Sequence, residues 1–314
     1  VGALLATTGA LVAEFAPKNK KNLCNAITYS GVPLGSLAAA ALAILLLGQI
    51  GWRGMFMIGA VPFFTLLPLA IWKMPESVAW LVSRGRVDEA RAVAERVGMD
   101  MPDAGPASAP IDQGATGYRG LFGDFLAQVC LIGVMSALGL FLVYGLNTWL
   151  PELMLRAGFN TQGSLSFLLV LNGGAVVGAI IVALFSDRFG PKAPIAACFL
   201  LGAIAVFAMT LKLPLAALLV IVALVGVGTS GTQILIYGFV AGYFPTRVRG
   251  AGVAWCAGFG RLGGVGGPLV GGFLIASGLS MDAIFFVLAG LAAFGALLTL
   301  VVPVGTARTK TAST

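Results

Sequence analysis

The chain has 314 residues, 59% hydrophobic and only 10% charged, with no histidine and a net charge of +7. A mean hydropathy of +0.99, set against the ~25% charge of an ordinary soluble domain, excludes a water-soluble fold. The lack of histidine, of a CxxC pair and of paired acids inside apolar runs also argues against a metal site or a membrane-embedded enzyme.

In chain order, apolar segments are predicted at 1–13, 24–48, 54–72, 122–149, 163–185, 193–211, 214–240, 250–276 and 283–304. About 20 apolar residues take a helix across the ~30 Å hydrocarbon core. These runs lack the alternation of a barrel strand, so the expected fold is an all-α membrane protein, a polytopic helical bundle. The first segment is too short to cross, and without a basic leader it is not a signal peptide. Because the chain opens on Val1, it is read as lacking its true start.

Lys and Arg sort to one set of loops. Fifteen of the nineteen lie at 18–21, 73–119, 188–192, 247–249 and 308–310. By the positive-inside rule those loops are cytoplasmic, which places the protein in the cell's inner (plasma) membrane with its C-terminus inside. The positive charge is thus accounted for by topology, and no nucleic-acid partner is expected. Segment 73–119 reads as a cytoplasmic linker. In its first part Trp80, Leu81, Val87, Ala90 and Val93 form an apolar side, with Asp88 and Arg91 as an i, i+3 pair. Its second part, 101–117, is a Pro/Gly/Ala-rich tether. Residues 305–314 form a tail. Cys24, Cys130, Cys198 and Cys256 lie far apart inside or at the edges of spans and read as inert buried thiols.

Residues 12–35 repeat at 240–263 with a constant offset of 228: VAEFAPKNKKN lies over VAGYFPTRVRG, matching Pro17 to Pro245 and Lys21 to Arg249. Large transporters are often built from such repeated halves. The offset makes 1–72 the last three spans of a first bundle and 120–304 a six-helix second bundle. Nine of twelve helices would then be present, about three preceding Val1. Polar residues follow the same rhythm. Spans 54–72, 193–211 and 283–304 are almost bare and read as lipid-facing. The others carry polar faces: Asn25, Thr28 and Tyr29; Tyr144, Asn147 and Thr148; Thr229, Gln233 and Tyr237; and Asn172 midway along its span. Two halves around a central aqueous cavity are the expectation.

The stretches ALVAEFAPKNKK (10–21), PESVAWLVSRGRVDEA (75–90), VYGLNTWLPELM (143–154), SDRFGPK (186–192) and YFPTRVRGAGVAW followed by GFGRLGG (243–255, 258–264) resemble the major facilitator superfamily. The resemblance is closest to its aromatic acid:proton symporter family and covers nearly the whole chain. The YGLNTWLP segment and the pair Arg249 and Arg261 favour that branch, whereas PES…GR..EA also occurs in sugar porters. The resemblance implies import of a small aromatic or other organic carboxylate by alternating access, with a proton as coupling ion and no bound cofactor. It also implies a gate at Asp187 and Arg188. The family's acidic first-helix motif would lie upstream of Val1.

Arg261 stands alone in a Gly-rich apolar run, where a guanidinium costs from ~2.5 to more than 10 kcal/mol. About 16 Å into its span by helical rise, it is the candidate bidentate clamp for a carboxylate. The repeat places Pro33 opposite it, so the scaffold itself does not demand a charge. Tyr144, Asn147, Asn172, Gln233, Tyr237 and Trp255 are candidate substrate contacts, with interhelical hydrogen bonding the other reading. Asp187, Arg188 and Arg249 are candidate latch residues. Glu14 is read as pairing with Lys18 and Lys21 or helping to couple protons. Glycine pairs such as Gly31/Gly35, Gly174/Gly178 and Gly260/Gly264 mark close packing inside one bundle, so a monomer in the bilayer is expected. The alternatives are a sugar or polyol porter, or a fragment inactive without its first helices.

Overall fold

The computed structural model describes residues 8–9, 11–12, 14–17, 20–99, 115–211 and 213–303, and all their regular structure is helical. Segment 1–13 falls mostly outside them. Lys18, residues 100–114, which hold most of the tether predicted at 101–117, and residues 304–314, nearly all of them tail, also lie outside the described residues.

Helix α1 (Lys21–Tyr29) runs into α2 (Gly31–Ile58), followed by α3 (Val61–Lys73). The break at Ser30 has a covalent cause: Pro33 has no N–H to give the Tyr29 carbonyl, and its ring crowds that oxygen. Inside α2, Gly51 adopts φ 64°, ψ −179°, a left-handed excursion that favours glycine. It kinks the helix within the predicted loop between 24–48 and 54–72.

The linker folds as α4 (Val78–Ser83) and α5 (Val87–Val97) around Val78, Leu81, Ala90 and Ala94. Trp80 and Val87 are exposed instead of joining that side. The i, i+3 ion pair on α5 is Arg86–Glu89 at 2.6 Å, not Asp88–Arg91. A hydrogen bond from the Arg86 guanidinium holds the Glu89 carboxyl below its usual range.

Then follow α6 (Gly117–Asp124), α7 (Leu126–Arg156), α8 (Thr161–Phe189), α9 (Lys192–Ala208), α10 (Leu215–Gly226), α11 (Thr232–Tyr243), α12 (Thr246–Ala276) and α13 (Met281–Val301). A π-turn, Val227–Gly231, joins α10 to α11. The helix predicted to end at 149 continues through Pro151 to Arg156. Asn160 caps the next one, its side chain accepting from the Gly163 N–H.

The closest helix pair is α7 with α12, and glycine permits it. A Cβ on Gly263 would overlap the Ala137 carbonyl, and one on Gly267 would overlap the Phe141 carbonyl. Gly174 and Gly226 do the same for α8 against α10, whereas Gly31 and Gly35 face open space. Helices α9 and α13 pack on each other at the periphery, and α1 and α2 lie against α8. In α3 no residue is buried. Cys130 is exposed on α7, contrary to the sequence reading, while Cys198 and Cys256 are buried.

Candidate functional site

A cavity of about 140 Å³ lies where α1, α2, α7, α8, α11 and α12 meet. Its volume holds roughly ten water-sized positions, the scale of a one-ring solute. The almost bare helices α3, α9 and α13 contribute nothing to its wall.

Arg261 lies at the midpoint of α12 and lines this cavity. One of its Nη atoms donates to the Tyr144 hydroxyl at 2.9 Å. Among the described residues no acid reaches it. Gly264 lets α12 slide against the Tyr144 ring, since a Cβ there would stand 3.1 Å from Tyr144 Cδ2. This close approach brings the phenol alongside the guanidinium.

Tyr144 and Asn147 follow each other on α7 at i, i+3, so both point to the cavity. Asn147 donates from Nδ2 to the Val143 carbonyl at 2.8 Å and accepts at Oδ1 from Asn172 Nδ2 at 2.9 Å. Asn172, on α8 and 2% exposed, also donates to the Leu168 carbonyl. Gln233 and Tyr237, one turn apart on α11, complete the polar wall. Gln233 Nε2 donates to Ser136 Oγ at 3.2 Å, and Ser136 donates to the Cys256 carbonyl at 3.1 Å. Gln233 Oε1 and Tyr237 Oη are enclosed, and neither makes a hydrogen bond of regular geometry among the described residues.

Tyr144, Asn147, Asn172, Gln233, Tyr237 and Arg261 are thus brought together. Trp255 is not. Its indole donates to the Val129 carbonyl at 3.1 Å and stacks on Phe259 with centroids 5.0 Å apart, away from the cavity wall. Thr148 is exposed, and Thr229 is spent on the Val225 carbonyl. Beyond the sequence candidates, Ser36, Ser230 and Tyr29 line the cavity. Tyr29 packs on Tyr237 with ring centroids 5.4 Å apart. Its polar face with Asn25 is the signal that could have singled it out. Pro33 is there too, so the two residues related by the 228 offset, Pro33 and Arg261, share one cavity.

The gate candidates lie elsewhere. Asp187, in the last turn of α8, accepts at Oδ1 from the Asn22 N–H and Asn22 Nδ2, both at 2.9 Å. Its Oδ2 accepts from the Leu23 N–H at 3.0 Å. The two backbone donors are free first-turn amides of α1, so the carboxylate ties α8 to α1. Arg188 is exposed over Phe189, and Arg249 donates to the Phe244 carbonyl at 3.4 Å. Glu14 accepts from Ser77 Oγ at 2.7 Å, at the start of linker helix α4.

The sequence model of the Major Facilitator Superfamily matches residues 1–215 and, overlapping, 163–314. Over 305 residues the chain is 33% identical to a gentisate transporter of Corynebacterium glutamicum, covering 95% of this chain and 63% of that one. It is 30% identical to a benzoate transport protein of Acinetobacter baylyi, covering 88% and 60% respectively. The chain therefore spans about three fifths of these relatives' length. Its fold is similar to that of the proton:xylose symporter XylE, with a TM-score of 0.69 at 19% identity over 93% of this chain and 66% of that one. The helical fold, the polar cavity among its helices and these matches together establish that the chain belongs to the Major Facilitator Superfamily.

Proposed function

We propose that the chain is part of a proton-coupled symporter that imports a small aromatic or other organic carboxylate by alternating access. The observation carrying this reading is Arg261, a guanidinium at mid-helix on a cavity wall, held by a phenol and without an acidic partner among the described residues. A permanent cation so placed is costly unless an anion visits. The remaining guanidinium N–H groups can grip both oxygens of a carboxylate. The named substrates of the gentisate and benzoate relatives support the same class. In this reading Asp187 latches the two bundles at their cytoplasmic ends. The distribution of Lys and Arg supports a C-terminus inside the cytoplasmic membrane. Gly174, Gly263 and Gly267 are spent on contacts within the chain, in keeping with a monomer. No step requires covalent chemistry, so an enzymatic role is not part of the proposal.

The test is uptake by the full-length protein in proteoliposomes under an inward proton gradient, with benzoate and gentisate set against xylose and glucose. Uptake of the acids and not the sugars is expected. Arg261→Lys keeps the charge and loses the fork, so it should raise KM for the acids at least about tenfold. Unchanged acid transport in that variant overturns the clamp. Uptake of sugar alone identifies the alternative porter, which the amides Asn147, Asn172 and Gln233 would serve.

A further inference from the structure

We infer that Asn172 reads a hydroxyl group on the substrate's ring, so that the site favours aromatic carboxylates hydroxylated remote from the carboxylate over unsubstituted ones. This rests on the carboxylate reading of Arg261.

The orientation of the Asn172 amide is over-determined. Its Nδ2 donates to two acceptors, Asn147 Oδ1 and the Leu168 carbonyl, each at 2.9 Å. Asn147 is fixed in turn, because its own Nδ2 is spent on the Val143 carbonyl. Rotating the Asn172 amide by half a turn would set oxygen against two oxygens. Its Oδ1 therefore faces away from both, and it receives no donor among the described residues. Unlike Gln233 Oε1, it is not sealed inside the protein, and Asn172 lines the cavity.

The cavity is thus bipolar. At one pole Arg261 offers N–H groups. Tyr144, whose oxygen accepts from Arg261, has its own hydrogen to give. At the other pole stands a bare amide oxygen, which can only accept. A carboxylate has no hydrogen for it, whereas a phenolic hydroxyl does. The two poles are anchored by Tyr144 and Asn147, three residues apart on one face of α7, so they stand at neighbouring levels of one cavity wall. A hydroxyl at the ring's 3- or 4-position can meet Asn172 while the carboxylate meets Arg261. A 2-hydroxyl cannot, because it bonds to its own carboxylate. An unsubstituted ring buries the amide oxygen unpaired, and that penalty is what discriminates.

The experiment is competition against radiolabelled benzoate uptake by the full-length protein in proteoliposomes. In the wild type, 3- or 4-hydroxybenzoate should compete roughly five- to tenfold better than unlabelled benzoate. Neither 2-hydroxybenzoate nor 4-methoxybenzoate, which has no hydrogen to donate, should show that gain. Asn172→Leu should bring the hydroxybenzoate-to-benzoate ratio to about one. If that variant does not fold, Asn147→Ala, which releases the amide, should lower the same ratio. A ratio unchanged in the folded variants, or an equal gain with the methoxy compound, overturns the hydroxyl subsite and leaves the carboxylate reading standing. Failure of every aromatic acid to enter overturns both.

Discussion

At the scale of single residues, expense was the readable signal. Asn, Gln, Tyr and Arg are costly in hydrocarbon, so their spacing on apolar spans pointed to the wall that the structure assembles from Tyr144, Asn147, Asn172, Gln233, Tyr237 and Arg261. Trp255 shows where such reasoning stops. Its indole N–H finds the Val129 carbonyl, 126 residues away, and nothing along the chain announces that partner. Tyr144 offers a separate check on the clamp, because its oxygen holds one arm of the guanidinium. Hydrogen bonds to charged groups are worth about 1.5–3 kcal/mol. Tyr144→Phe should therefore weaken benzoate binding roughly tenfold in a competition assay while Arg261 stays in place. An unaltered affinity would show that the phenol does not orient the cation.

At the scale of helices, hydropathy placed the apolar runs from 24 onward in the right order, but not their ends. The helix through Pro151 continues because tertiary packing outweighs a single lost backbone hydrogen bond. The π-turn at Val227–Gly231 adds a single irregular turn that hydropathy does not register. The glycines of α12 looked alike in sequence, yet they separate in the structure. Gly263 abuts the Ala137 backbone, while Gly258 has nothing within 4 Å of a built Cβ. Gly263→Ala must push α12 away from α7, where backbone cannot give way. It should lower the melting temperature of the detergent-solubilised protein by several degrees, as expected for ~1–3 kcal/mol of overpacking. Gly258→Ala should leave it within a degree or raise it slightly, since alanine favours the helix. Equal behaviour of the two variants would mean that the α7–α12 seam is not set by glycine.

At the scale of the whole molecule, α1 and α2 meet the later helices across the cavity, and α1 meets α8 at Asp187. The repeat predicted two related bundles, but not which atoms join them. Asp187 lies at the C-terminal end of α8, where that helix's own dipole disfavours an anion. Its three hydrogen bonds to Asn22 and Leu23 at the start of α1 are what offset this. A carboxylate at a helix N-terminus contributes roughly 0.3–2 kcal/mol, enough to shift a two-state equilibrium by about twofold to about thirtyfold. Asp187→Asn removes the charge and turns an N–H toward amides that have no use for it, so it should favour the unlatched arrangement. Cys24 sits one residue beyond the latch and is partly exposed, which makes it a native reporter. In a Cys130→Ser background, with Cys198 and Cys256 buried, maleimide labelling of Cys24 should run severalfold faster in Asp187→Asn than in the parent. A saturating aromatic acid should shift both labelling rates if the cavity and the latch belong to one equilibrium. Identical rates with and without the substitution would show that Asp187 merely caps a helix, and that the contact between bundles lies elsewhere.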